Sequence, residues 1–183
     1  MLITVVELER EPLEFDERIA PGKIEYGSDV KQINDFHVVG RADLLEEHRG
    51  PREFVMDIRL KAHYEGKFEV PCARCVEAVH YDLKDDFDLL YRPVGADGEA
   101  SEHSITTSET EIGYYQGGSL ELEDVLREQV LLSLPTKTLC RQDCKGLCPH
   151  CGVNLNAETC TCEETRTDPR WSALSELGSR IKS

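Results

Sequence analysis

The chain has 183 residues, of which 36 are Asp or Glu and 21 are Lys or Arg, for a formal net charge of −15. That length suits one good-sized domain with an appendage. Apolar residues make up 39% with no run approaching 18, which excludes a membrane-spanning helix. The charge is uneven: residues 1–135 hold 14 basic against 30 acidic side chains, and residues 136–183 hold 7 against 6. An acidic body is unsuited to wrapping a phosphate backbone, because that affinity comes from Lys and Arg releasing counterions. It suits solubility or a basic protein partner.

In chain order, Ile3 to Leu8 reads as an opening strand, and Pro12, Pro21 and Gly22 punctuate the next stretch of chain. Lys23 to Tyr26 reads as a short strand closed by Gly27, and Asp35 to Leu45 alternates loosely. From Glu53 the period of two is clear. Phe54, Met56, Ile58, Leu60, Ala62 and Tyr64 share one face, and Asp57, Arg59, Lys61 and His63 share the other, as in a half-buried strand. Glu65-Gly66-Lys67 then supplies a turn to a partner strand carrying Phe68 and Val70.

Val79, Tyr81, Leu83, Phe87, Leu89 and Tyr91 alternate again, with Asp82, Lys84, Asp86 and Asp88 between them. The middle of the chain is therefore expected to be an antiparallel meander with one wet face, ended by Pro93. Gly95 to Glu109 reads as a mobile loop, and Ile112 to Tyr115 as a short strand stopped by Gly117-Gly118. A helix is expected over about 120–134. Leu122, Val125, Leu126, Gln129, Val130 and Leu132 fall at helical spacing, and Glu121, Glu123 and Asp124 sit at the positive end. Pro135 stops it. After the cysteines, Asp168-Pro169 reads as the start of a short helix with an apolar stripe of Trp171, Leu174, Leu177 and Ile181. The fold class expected is α+β: an antiparallel sheet or partly open barrel body over 1–135, then a Cys-rich zinc module over 136–183.

Six cysteines fall within the 23 residues from Cys140 to Cys162. Thiolates spaced by two or three residues are how a short chain surrounds a tetrahedral ion, and zinc is the usual occupant. Cys148-Pro-His-Cys151-Gly resembles a zinc knuckle, with Gly152 free to take a conformation other residues resist. A further pair, Cys72-Ala-Arg-Cys75, lies between two strands. The chain opens on Met-Leu-Ile-Thr with acidic residues soon after, so a reducing cytoplasmic location is expected and metal is favoured over disulfides. Two partitions stand. In one, Cys148, Cys151, Cys160 and Cys162 hold one zinc and Cys72, Cys75, Cys140 and Cys144 hold a second. In the other, a single zinc draws on the C-terminal six, with Cys72 and Cys75 free. His150 is a substitute ligand by position, but between the two cysteines it is expected to point to solvent. A redox or metal-sensing role for Cys72 and Cys75 is the competing reading, since CxxC spacing lowers a thiol pKa.

The stretches PCARCVE, LEDVLREQVLLSLPTKTLC, CKGLCPHCGVNLN, the later Cys-x-Cys and DPRWSAL, in this order, resemble the YceD family of bacterial and plastid proteins. The resemblance covers roughly Ile33 to Leu177. Cys72, Arg74 and Cys75 match its CxRC pair. Cys144, Lys145, Gly146, Leu147, Cys148, Pro149, Cys151, Gly152 and Asn154 match its knuckle, and Asp168, Pro169 and Arg170 its tail. It implies a role in accumulation of large-subunit (23S) ribosomal RNA, with no catalytic residue. The partner expected is a basic ribosomal protein or the pre-large-subunit particle. Direct RNA contact would fall to Arg141, Lys145, Arg166 and Arg170. Catalytic patterns are otherwise missing: there is no P-loop, GxGxxG, HExxH or GxSxG, and an all-Cys ligand set is usually structural.

Overall fold

A computed structural model describes residues 1–50, 53–96 and 112–162. The expected C-terminal helix, most of the Gly95–Glu109 loop, and Arg166 and Arg170 lie outside these residues.

Three long strands, β4 (Phe36–Gly50), β5 (Glu53–Pro71) and β6 (Ala78–Pro93), form the centre of a six-stranded sheet. β2 (Leu13–Ile19) lies outside β4, and the two-residue β3 (Lys31–Gln32) pairs with the far end of β5. The sheet runs β2-β4-β5-β6-β7 with its two edges unpaired to one another, so it does not close into a barrel. β7 (Ile112–Tyr115) joins β6 in parallel, which departs from the all-antiparallel expectation. Gly117 and Gly118, both at positive φ, turn the chain into β8 (Ser119–Glu121), which pairs with β1 (Leu2–Thr4) in a separate two-stranded ribbon.

Two features lengthen or shorten the expected strands. β5 continues unbroken through Gly66, because that glycine is needed for close approach and not for a turn. A Cβ there would stand 2.7 Å from the Phe36 ring. The opening strand stops at Thr4, whose hydroxyl oxygen accepts the Glu7 N–H at 3.3 Å and caps a one-turn helix α1 (Val5–Leu8). Lys23–Tyr26 forms no strand, although Ile24 and Tyr26 are buried.

One face of the sheet carries Phe36, Val38, Ile58, Leu60, Tyr64 and Phe68 into a single core. Helix α2 (Leu122–Ser133) covers it with Leu122, Val125, Leu126 and Val130. The Tyr64 hydroxyl meets Ser133 Oγ at 2.6 Å. Leu132, grouped with these residues by helical spacing, is exposed.

The other face is laced by cross-strand ion pairs and hydrogen bonds. Asp88 takes both Arg59 and Lys61, His63 meets Asp86, and His37 meets Asp16. A shallow groove on this face, between Asp16, Arg41, Lys61 and His63, brings together no unpaired catalytic constellation. At one end the alternation shifts. Asp57, expected on the wet face, is buried against Arg92, with contacts of 3.1 and 2.8 Å. Glu47 also accepts from Arg92.

Candidate metal centres

β5 ends at Pro71 and β6 begins at Ala78, so the strand register delivers Cys72 and Cys75 on the connecting turn at one end of the sheet. Cys72 N–H donates to the Glu77 carbonyl at 2.8 Å, and Val76 N–H donates to the Cys72 carbonyl at 2.9 Å. The C-terminal knuckle repeats this pattern: Cys148 N–H donates to Val153 at 2.8 Å, and Gly152 N–H to Cys148 at 2.9 Å. In both, the residue after the second cysteine has positive φ, 62° at Val76 and 74° at Gly152.

The eight sulfurs fall into two groups of four. Within each group all sulfurs lie within 4.8 Å of one another: Cys72, Cys75, Cys140 and Cys144 in the first, and Cys148, Cys151, Cys160 and Cys162 in the second. The nearest contacts are 3.3 Å for Cys148–Cys160, 3.5 Å for Cys151–Cys160, 3.6 Å for Cys75–Cys140 and 3.8 Å for Cys72–Cys144. A disulfide needs about 2.05 Å, so these are not bonds. Four sulfurs each about 2.3 Å from a zinc ion stand about 3.8 Å apart, which is close to the spacing seen. His150 is exposed and belongs to neither group. The first group takes two sulfurs from each side of position 135. Three of them, Cys72, Cys75 and Cys144, are buried, with Val79 and Leu139 packed around them.

The sulfurs differ electrostatically. Backbone N–H groups of Cys75 and Cys140 aim at Cys72 Sγ and hold its thiol down at about 6. Those of Cys151 and His150 do the same for Cys148, also about 6. Cys75 receives the Glu77 N–H, yet burial and the neighbouring sulfurs push it up to about 12. The Cys160 and Cys151 sulfurs push Cys162 up to about 12. Each group thus has a thiol whose ionisation backbone donors favour, while crowding opposes ionisation of another thiol. In the first group Cys144 is lowered too, against burial, by the Asn156 amide and the Gly146 N–H. A divalent cation resolves the conflict between favoured and opposed ionisation, because it stabilises coordinated thiolates. The donor sets therefore fit a soft tetrahedral ion.

Arg74 ties the tail to the sheet. Its guanidinium donates to the Cys144 carbonyl at 2.7 Å, and its own carbonyl accepts Leu147 N–H at 3.0 Å. Gly146 lies against that carbonyl, where a Cβ would stand at 3.0 Å. Arg141, a candidate phosphate contact, is occupied by Asn156 and Asp143, and Lys145 lies on the same loop. Cysteine spacing gives no sign of Asn156, which donates to Cys144 Sγ at 3.3 Å. The available signal is an Asn-x-Asn pair beside the knuckle.

The family model described as "Large ribosomal RNA subunit accumulation protein YceD" matches residues 60–178, and the chain belongs to this family. It is 37% identical to an uncharacterized protein of Mycobacterium tuberculosis over 107 residues, covering 58% of this chain and 48% of that one. A Mycobacterium leprae protein, also uncharacterized, is 33% identical over 107 residues, with 58% and 46% covered. A chloroplastic protein of Arabidopsis thaliana, named large ribosomal RNA subunit accumulation protein YCED homolog 1, is 24% identical over 132 residues, with 61% and 41% covered. The chain spans about half the length of the mycobacterial relatives it matches. No solved structure matches.

Proposed function

We propose, from membership of the YceD family, that this chain supports accumulation of large-subunit (23S) ribosomal RNA in the cytoplasm as a non-enzymatic interaction protein. The observation that carries the reading is the family match over residues 60–178, which takes in most of β5, all of β6, β7 and α2, and both cysteine groups. The eight cysteines hold two zinc ions, which supply charge neutralisation and cross-linking and fold residues 136–162 against the sheet body. Burial of Cys72 and Cys75 supports a structural role for that pair over exchange chemistry.

The partner is a basic ribosomal protein or the pre-large-subunit particle. On the sheet's wet face Asp88 is paired with Arg59 and Lys61, and Asp82 with Lys67, whereas Glu7, Glu9, Glu11, Glu121 and Glu128 are exposed around α1 and α2. The helical side is accordingly the docking face for a basic surface, with a salt-sensitive association rate.

The test is the ratio of 23S to 16S ribosomal RNA in cells depleted of the protein and in cells rescued with the intact chain. The reading expects a fall restored by rescue. An unchanged ratio under full depletion overturns it.

A further inference from the structure

The two cysteine groups are joined by a short polar chain that neither needs for its own ligands. Asn156 lies beyond the second knuckle, yet its amide reaches the first group. Its Oδ1 accepts Lys145 N–H at 2.8 Å and an Arg141 N–H at 2.8 Å. Those two donors fix the amide's orientation, so Nδ2 faces the Cys144 sulfur, 3.3 Å away. Asn154 accepts the Asn156 backbone N–H at 3.0 Å and side-chain N–H at 2.9 Å, and donates to Glu77 Oε1 at 2.7 Å. The other carboxylate oxygen of Glu77 lies 3.7 Å from Cys75 Sγ.

This chain is held in place by the second knuckle. Val153 accepts from Cys148, Leu155 N–H donates to Gly146 at 2.9 Å, and Ala157 and Glu158 N–H groups return to Asn154 before the chain reaches Cys160. Residues 153–158 are thus spanned by Cys151 on one side and Cys160 on the other. Closing the second group around an ion orders the loop that carries Asn156 to the first.

We propose that the two centres bind metal as a coupled pair, with Asn156 the positioning residue through which occupancy of the Cys148 group tightens metal binding at the Cys72 group. A donor to a ligating sulfur is an outer-shell contact, and loss of such contacts costs about 10- to 100-fold in metal affinity. Coupling between sites is reciprocal, so the first group tightens the second by the same factor.

The inference rests on both groups holding zinc, and the experiment separates the two ideas. Reduced apo full-length protein is titrated with zinc against a chromophoric chelator, and cobalt charge-transfer bands report tetrathiolate coordination. Five proteins are compared: the natural chain, Cys151→Ser/Cys162→Ser, Asn156→Ala, the triple variant and Asn156→Asp. Both replaced cysteines are exposed, so no core is disturbed. The natural chain should take two ions. Cys151→Ser/Cys162→Ser should keep one, bound at the Cys72 group about 10- to 100-fold more weakly. Asn156→Ala should weaken that group similarly while retaining two ions, and the triple variant should be no weaker than the double. An unchanged Cys72-group affinity in either Asn156→Ala or the double variant overturns the coupling while leaving two zinc ions in place. Fewer than two ions in the natural chain overturns the premise itself. Asn156→Asp keeps the acceptor that orders the loop but cannot donate to sulfur. It should also bind weakly, and natural affinity in that variant overturns the role of the donor.

Discussion

Val76 occupies after Cys75 the left-handed backbone position that Gly152 occupies after Cys151. Glycine adopts this conformation freely, whereas a side chain with a Cβ is penalised by about 1–2 kcal/mol, and β-branching adds crowding. Val76 is the only non-glycine residue with positive φ among those described. The knuckle geometry, set by the two sulfurs and the Val76-to-Cys72 hydrogen bond, holds it there. Val76→Gly should therefore stabilise the zinc-loaded protein by about 1 kcal/mol after the entropic cost of glycine is deducted. Gly152→Val should destabilise it by about 1–2 kcal/mol. Urea midpoints of the two variants, measured with zinc present, decide this, and a destabilised Val76→Gly contradicts it.

Arg74 is a structural clamp, because its guanidinium and its carbonyl both grip the 144–147 loop. A hydrogen bond to a charged donor contributes about 1.5–3 kcal/mol. Arg74→Ala should release the tail, seen as faster proteolysis within residues 136–162, with the sheet intact. Arg74→Lys should recover part of the protection, since a point charge replaces the fork that reaches the carbonyl.

Much of the fold is legible in the sequence, and the two groups of four sulfurs match one of the two partitions that the cysteine spacing allows. The alternation from Ile58 to Tyr64 and from Val79 to Tyr91 is a strong period-two signal, and cysteine spacing identifies each knuckle. Other features are hidden for physical reasons. Parallel pairing of β7 leaves no mark in four residues. Gly66 carries the composition of a turn but serves the Phe36 ring. Thr4-x-x-Glu7 is a capping signature within an apolar run that reads as strand. Asn156 becomes visible only when the fold brings two sequence-distant sulfur groups together.

Asp57 reads as a solvated residue because its neighbours on that face are charged and exposed. It is 2% exposed and Arg92 is 4% exposed. A fully stranded partner of such a pair would cost about 3–5 kcal/mol; Glu47 still accepts from Arg92 when Asp57 is replaced, so the loss should fall toward the low end of that range. Asp57→Asn should show that loss in chemical denaturation. Replacing both partners, Asp57→Leu with Arg92→Met, should recover most of it. A single variant as stable as the natural chain contradicts the assignment.

Asp88 sets a pH dependence of the opposite, surface kind. The bidentate Arg59 guanidinium, helped by Lys61, draws its carboxyl down from 3.8 to about 2. A depressed folded pKa means the folded state binds the proton less readily than the unfolded one. The contribution is therefore complete above about pH 4 and lost as pH falls towards 2. Asp88 is 46% exposed on its side chain, so solvent screening limits the effect to about 0.5 kcal/mol. The stability difference between the natural chain and Asp88→Asn should be constant from pH 7 to 5 and shrink below pH 4. A difference that grows on acidification contradicts it.

Metal removal should divide the molecule. The main core runs through the sheet, α1 and α2 and includes no cysteine, while the apolar cluster around the first sulfur group holds three cysteines with Val79 and Leu139. That second cluster is too small to offset the conformational entropy of ordering the tail, about 1–2 kcal/mol per residue. Structural zinc contributes on the order of 10–16 kcal/mol in small modules, enough to reverse the balance. Chelation of the reduced protein should abolish amide protection from residue 138 to 162. Protection in β4, β5 and β6 should persist away from the Cys72 turn, with the Tyr64–Ser133 contact still joining helix to sheet. Hydrogen exchange with and without chelator measures this directly. Uniform loss of protection across sheet and tail would mean the ions hold the whole chain, and uniform retention would mean they hold none of it.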